Sequence, residues 1–307
     1  MSIYLSFENT VLSPEGVNAN SNRERSVVNS IAIATESSWE DVVKSLIEQV
    51  HIKSRMPSYN TCITDTIKAN GFVPVKYTGA VMDMYFDNYE LFSQRRKFII
   101  RIYNRFFAVV PKKDTKDYII RGAALEDISV FKCQIHQMWL YEPGTDNRTG
   151  IIRQSKKKAM QENNNYIAEN MNPKGVFAGD CVIRALSLAY GCTWDEAIDH
   201  IASLSDYRDP TINSPKTFEI ALEKLGFKRY SSIRKNNVFL TGKEFCEKMD
   251  GKYSNGERIF AFVGKTHCAA IIPTKNPNGE NKYMIHDTWD STTNNVYTYW
   301  VYKPQNL

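Results

Sequence analysis

The 307-residue chain carries the same succession of segments twice. With Trp39 laid over Trp194, the run from Ser26 to Thr35 falls on the run from Cys181 to Tyr190. Trp39 to Val43 falls on Trp194 to Ile198, and Gly71-Phe72 falls on Gly226-Phe227, all without a gap. Further on, Phe98 to Pro111 matches Phe260 to Pro273, and the endings Trp139 to Pro143 and Trp300 to Pro304 share a Trp, a Tyr and a Pro. Matches kept in one order along the chain are the signature of a duplicated unit. They predict one domain at 1–143, a second at 172–307 and a polar linker at 144–171, with a helical piece near 159–171. This constrains the fold more than length does, because each half must close its own core.

The second copy shows what kind of unit this is. Asp180 is placed to cap a helix over 181–190 that ends at Gly191. Thr193 and Glu196 have capping-box spacing for a helix over 194–204. Ser214-Pro215 opens a third helix, with Phe218, Leu222 and Leu225 on one side and Gly226 as its stop. The pattern then turns to β-branched and aromatic runs at 258–263, 266–272, 282–287 and 296–302. Helices followed by an antiparallel sheet predict an α+β fold, and the first copy repeats that order.

Composition excludes several functions. Residues 1–155 hold 19 basic and 17 acidic groups and residues 156–307 hold 20 and 17. Neither half is the strongly basic body of a general nucleic-acid binder. No apolar run approaches the roughly 20 residues that span a bilayer. The six cysteines lack paired metal-knuckle spacing, so no metal or organic cofactor is expected. No basic flank leads into an apolar run at the start, which predicts reduced thiols and a cytoplasmic location, a host cytoplasm if the chain is viral.

Three residues of the second copy combine into a chemistry. Cys181 opens an apolar helix, where exposed backbone N–H groups and the helix dipole favour thiolate. His267 follows a Gly-Lys-Thr turn at the head of a strand, and Asp287 ends the next strand. A hairpin would bring His267 and Asp287 together facing the helix start. A nucleophile, a base and a carboxylate that orients the base are what acyl transfer needs. Cys181 alone would read as a small buried apolar residue; the order Cys, His, Asp favours the nucleophile. His286 should face away from Cys181, and Cys268 should be core, because neighbours on a strand alternate in direction.

In the segments Gly179 to Leu186, Thr266 to Ile271 and Ile285 to Asp287, the chain resembles the papain-like cysteine peptidase superfamily. The first segment is similar to C39-like and bacteriophage-encoded members. The resemblance covers about residues 172–304. It implies two tandem papain-like domains, a thiol hydrolase acting on a peptide or isopeptide bond of a protein or peptide substrate, and a Cys181–His267–Asp287 triad. It also implies an oxyanion hole made by the Cys181 N–H and an upstream Gln or Asn. No Gln stands at the usual spacing, and Asn172 is the candidate. Transglutaminases, deamidases and thiol acyltransferases share this geometry. A binding or structural protein with a vestigial site is the reading from another class. In the first copy Ser26 replaces Cys181, Arg105 replaces His267, and either Gly122 or Glu126 stands opposite Asp287. That copy is expected to keep the fold without the chemistry and to serve as a docking domain.

Overall fold

A computed structural model describes residues 4–19, 22–123, 129–144, 165–175, 179–250, 252–253, 256–275 and 281–304. The chain divides into two compact units. One comprises Met1–Ile152 with Tyr207–Thr211, and the other Arg153–Asp206 with Ile212–Leu307.

The first unit opens on β1 (Leu5–Asn9), followed by helices α1 (Arg23–Thr35), α2 (Trp39–Lys53) and α3 (Asn60–Ala69). Strand β2 (Phe72–Val75) leads into two short helices, α4 (Met84–Asp87) and α5 (Tyr89–Ser93). The sheet is completed by β3 (Phe98–Ile102), β4 (Arg105–Pro111), β5 (Tyr118–Gly122) and β6 (Gln137–Tyr141). Side chains at the helix starts satisfy backbone donors that the helix leaves unpaired. Asn22 accepts from the Arg25 N–H at 2.9 Å, and Ser38 accepts from the Asp41 N–H at 3.1 Å.

The second unit repeats the plan. Strand β7 (Tyr166–Ala168) precedes α6 (Cys181–Leu186), which continues as a π turn over Ser187–Gly191. Helices α7 (Trp194–Leu204) and α8 (Pro215–Lys224) follow, then β8 (Lys228–Ser231). A small hairpin of β9 (Arg234–Lys235) and β10 (Val238–Phe239) leads to α9 (Gly242–Asp250). Strands β11 (Arg258–Val263), β12 (Cys268–Lys275), β13 (Asn281–Asp287) and β14 (Val296–Tyr302) complete the second sheet. The Thr193–Glu196 capping box forms in both directions.

The two sheets have one topology. The first runs β1-β5-β4-β3-β6-β2 and the second β7-β13-β12-β11-β14-β8. In each, the first strand pairs parallel with its neighbour and the other four pairings are antiparallel. The fold is α+β with two six-stranded mixed sheets, which corrects the expectation of purely antiparallel ones. A three-residue strand such as Tyr166–Ala168 carries too little alternation to be read from sequence. It also corrects the helical piece expected near 159–171. The described part of that stretch holds a strand bonded to β13, and residues 159–164 lie outside the described residues.

One sheet face of the first unit buries Phe98, Ile100, Phe107, Val109 and Ile120 with Phe92. In the second unit Ile259, Ile271, Ile285 and Val301 pack with Phe245 and Met249 of α9. Fully burying each such side chain contributes about 1.5–3 kcal/mol. The other face of that sheet packs Phe260 and Trp300 on Phe218 of α8. Helix α9 stands where the chain order of the first unit has α4 and α5, and it buries Phe245 in the core of the second unit as α5 buries Phe92 in that of the first. Its Gly242 lies so close to the sheet that a Cβ would meet Ile285 Cδ1 at 2.5 Å. Its first amides donate to Asn294 and Thr292, which fastens the loop that follows Asp287. Among the described residues no helix is long and apolar enough to cross a membrane.

Candidate active site

Helix α6 delivers Cys181, the turn before β12 delivers His267, and the end of β13 delivers Asp287. Strands β12 and β13 pair directly, with Ala270 opposite His286, so both sheet residues arrive at the same edge. His267 Nε2 and Asp287 Oδ2 lie 2.5 Å apart. With Nε2 on the carboxylate, Nδ1 is the ring nitrogen left for the Cys181 sulfur, with which the imidazole is hydrogen-bonded. Asp287 is buried and fixed further by the Thr288 N–H at 2.6 Å and the Ser291 hydroxyl at 3.1 Å. The Trp289 ring lies over the imidazole, with centroids 4.9 Å apart. The structure therefore brings Cys181, His267 and Asp287 together in that order of contact.

The electrostatics single out one thiol. All six cysteines lie among the described residues and all are free. Burial pushes Cys62, Cys133, Cys192, Cys246 and Cys268 upward, because a desolvated thiolate is disfavoured. Cys181 alone goes down, to about 4. The hydrogen bond from the Cys268 thiol is the largest cause. Burial opposes it, and the His267 hydrogen bond and charge reinforce it, together with the Cys268 backbone N–H. His267 moves up to about 9: burial alone would lower it, but hydrogen bonds and charge from Asp287 and Cys181 outweigh that. At neutral pH both shifts favour a thiolate beside an imidazolium.

One expectation is corrected. Asp180 sits at the cap position of α6, yet its carboxylate accepts no bond from the helix amides. It is fully buried and binds the Arg184 guanidinium at 2.5 Å, the Trp194 indole N–H at 2.8 Å and the Asn172 amide at 3.1 Å. Asn172 supports Asp180: its amide nitrogen donates to that carboxylate, and its oxygen accepts the Lys174 N–H at 3.0 Å. A carboxylate facing a guanidinium inside the protein leaves the helix start for its buried partner because an unpaired buried charge costs far more than a lost cap.

His286 faces away from the sulfur as its parity requires. It bonds Glu169 at 2.8 Å and Thr274 at 2.7 Å, tying β7, β13 and β12 into one edge. Cys268 is buried as expected, yet it is the largest influence drawing the Cys181 thiol down. Sequence reasoning missed that influence and Trp289. Alternation along the strand hid the first, because an N–H and a thiol at a strand head can reach a facing helix whichever way the neighbouring residue points.

The first unit places the same atoms around different chemistry. The Phe106 N–H donates to Ser26 Oγ at 3.3 Å, where the Cys268 N–H reaches the Cys181 sulfur. This equates Arg105 with His267. Strand register settles the third position. Ala108 pairs with Arg121 as Ala270 pairs with His286, and the Thr10 N–H donates to Gly122 O as the Glu169 N–H donates to Asp287 O. Gly122 thus stands at the place of Asp287, and Glu126 lies outside the described residues. A Cβ on Gly122 would meet the Phe107 ring at 2.7 Å. The position of Phe107 belongs to the small Ala269 in the second unit, which leaves space for the carboxylate.

Comparison of the chain with family models, curated proteins and solved structures returns no match.

Proposed function

We propose that the C-terminal domain is a papain-like cysteine peptidase and that the N-terminal domain is an inactive copy of it, a tandem arrangement of one fold. The carrying observation is that Cys181, alone of six thiols, is drawn toward thiolate, by a facing thiol and by an imidazole held on a buried carboxylate. The Cys181 sulfur attacks the carbonyl of a peptide or isopeptide bond. His267 gives its Nδ1 proton to the leaving amine, then takes one from the water that releases the acyl group. Asp287 orients the ring and stabilises its charged form. The Cys181 backbone N–H at the start of α6 faces the developing oxyanion. This sequence draws on protein side chains and water. A reducing compartment such as the cytoplasm suits a resting thiolate, and a protein or peptide is the substrate, with the N-terminal domain as its docking partner.

The test is iodoacetamide labelling at pH 6, followed by intact-mass analysis of peptides incubated with the enzyme. Labelling of Cys181 should be at least about tenfold faster than that of an ordinary free thiol, and His267→Ala should abolish the advantage. Peptides should lose mass. A Cys181 that labels like any free thiol, with or without His267, ends the proposal. Mass added to an acceptor protein would assign an acyl acceptor other than water.

A further inference from the structure

Asp180 stands immediately before the nucleophile, and its buried carboxylate is bound from three places at once. Arg184 reaches it from one turn along α6, the Trp194 indole from the start of α7, and the Asn172 amide from the segment that follows β7. Arg184, Trp194 and Asn172 are themselves buried. Bonds to an ionised carboxylate are stronger than neutral ones, so together they fix the backbone of Asp180 and with it the start of Cys181.

The first unit supplies the control. There Arg25 stands at the place of Asp180, Asn29 at that of Arg184 and Trp39 at that of Trp194. Asn29 holds the segment that follows β1 by neutral bonds, donating to Thr10 O at 2.9 Å and accepting the Leu12 N–H at 2.8 Å. The Trp39 indole N–H goes to Arg208 O at 3.0 Å, and Arg25 pairs with Asp209 of the same unit. The same helix start is thus secured with no ion pair between the two positions one turn apart. A buried ion pair adds little stability over a neutral arrangement of similar shape. Stability alone therefore does not account for the Asp180–Arg184 pair in the copy that carries the cysteine.

We propose that Asp180, Arg184 and Trp194 are positioning residues that clamp the start of α6 and keep the Cys181 sulfur within reach of the His267 ring. The clamp touches no reacting atom and acts through the backbone of the residue before the nucleophile. It rests on the reading of Cys181 as a nucleophile paired with His267, not on which bond is cleaved. His267 is held separately, on the buried Asp287 carboxylate at 2.5 Å. The sulfur is the other half of the pair, and a misplacement of about 1 Å there can cost about a hundredfold in rate.

Two variants of the full chain test this. Asp180→Asn with Arg184→Gln removes both charges and strands neither. Trp194→Phe keeps an aromatic ring and removes the indole N–H. Urea unfolding first establishes that each is folded. Iodoacetamide labelling of Cys181 is then followed across pH, and kcat and KM are measured on a cleaved peptide. Both folded variants should label at least about tenfold more slowly at pH 6. The pH of half-maximal labelling should rise by about one or more, because a sulfur that drifts from the imidazolium loses the charge that favours thiolate. The value of kcat should fall about tenfold or more with KM changed less than about twofold, since substrate binding does not pass through the clamp. If the double variant does not fold, Trp194→Phe decides by itself. Folded variants that lose stability but label and turn over like the wild type overturn the proposal and leave the network a purely structural one. The wild-type labelling rate separates the two ideas. A wild-type chain that labels fast beside variants that label equally fast keeps its nucleophile and loses the clamp. A wild-type chain that labels slowly loses the nucleophile reading itself.

Discussion

Ser26 and Cys181 occupy the same point of the same fold, and a strand amide reaches each of them, from Phe106 in one unit and Cys268 in the other. Everything chemical around them differs. Cys181 faces an imidazole that holds a proton at neutral pH and can pass it on. Ser26 lies near Arg105, a guanidinium that cannot accept a proton at neutral pH. Arg105 is half-buried, and its Nη1 has no hydrogen-bond partner among the described residues. Where Asp287 orients the base, Gly122 leaves room only for the Phe107 ring. The comparison teaches that one strand order forms with and without the Cys–His–Asp cluster, so the sheet is maintained by its cores and not by the site.

The largest effect that would sharpen this contrast is on turnover. Cys181→Ala should lower kcat/KM for a cleaved peptide by at least about a thousandfold, whereas Ser26→Ala should change it less than about twofold. Equal losses in a steady-state assay would break the distinction between the copies. Stability should divide them next. Asp180→Ala strands the buried Arg184 guanidinium and should cost about 3–5 kcal/mol in urea unfolding. A loss under about 1 kcal/mol would mean that the Asp180 network does not hold the second unit together.

The pH profile follows from the pair. Protonating the depressed Cys181 removes the nucleophile, so kcat/KM should rise with pH through about 4. Deprotonating the raised His267 removes the acid needed by the leaving amine, so kcat/KM should fall through about 9. These limits belong to the coupled pair. A profile that begins to rise only near the ordinary thiol value of 9.0 would show that no ion pair forms. The smallest effect is expected in the silent copy. Arg105→Met removes a guanidinium with an unpartnered buried nitrogen and should raise stability by about 1 kcal/mol, read as a higher Tm. A clear drop in Tm would show that Arg105 supports the first unit.

The helices at 194–204 and 215–224 were legible because their signals are local. Thr193 caps a residue three positions on, and Pro215 presets its own dihedral. The strands at 258–263 and 296–302 were legible from their β-branched and aromatic content. Helix α9 was missed although Thr241 and Glu244 have capping-box spacing and bond reciprocally, because its nine residues follow a short hairpin and offer only a brief apolar pattern. At the site, Cys181, His267 and Asp287 could be named because their residue types and order carry meaning. Trp289 could not, since an aromatic two residues past a strand is ordinary until its ring is seen over the imidazole.

The sequence by itself determined the duplication, most of the succession of helices and strands, and the three side chains that meet at the site. Each follows from short-range periodicity or from functional groups that no packing can create. Tertiary structure decided the rest. It took Asp180 out of the capping role its spacing suggested, gave Asn172 to the Asp180 carboxylate, and chose Gly122 as the counterpart of Asp287. It also laid a parallel strand on one edge of each sheet and joined His267 to a buried Asp287. Those outcomes depend on strand register across long separations. A slip of one residue there reverses every side chain, so no local pattern can encode the result.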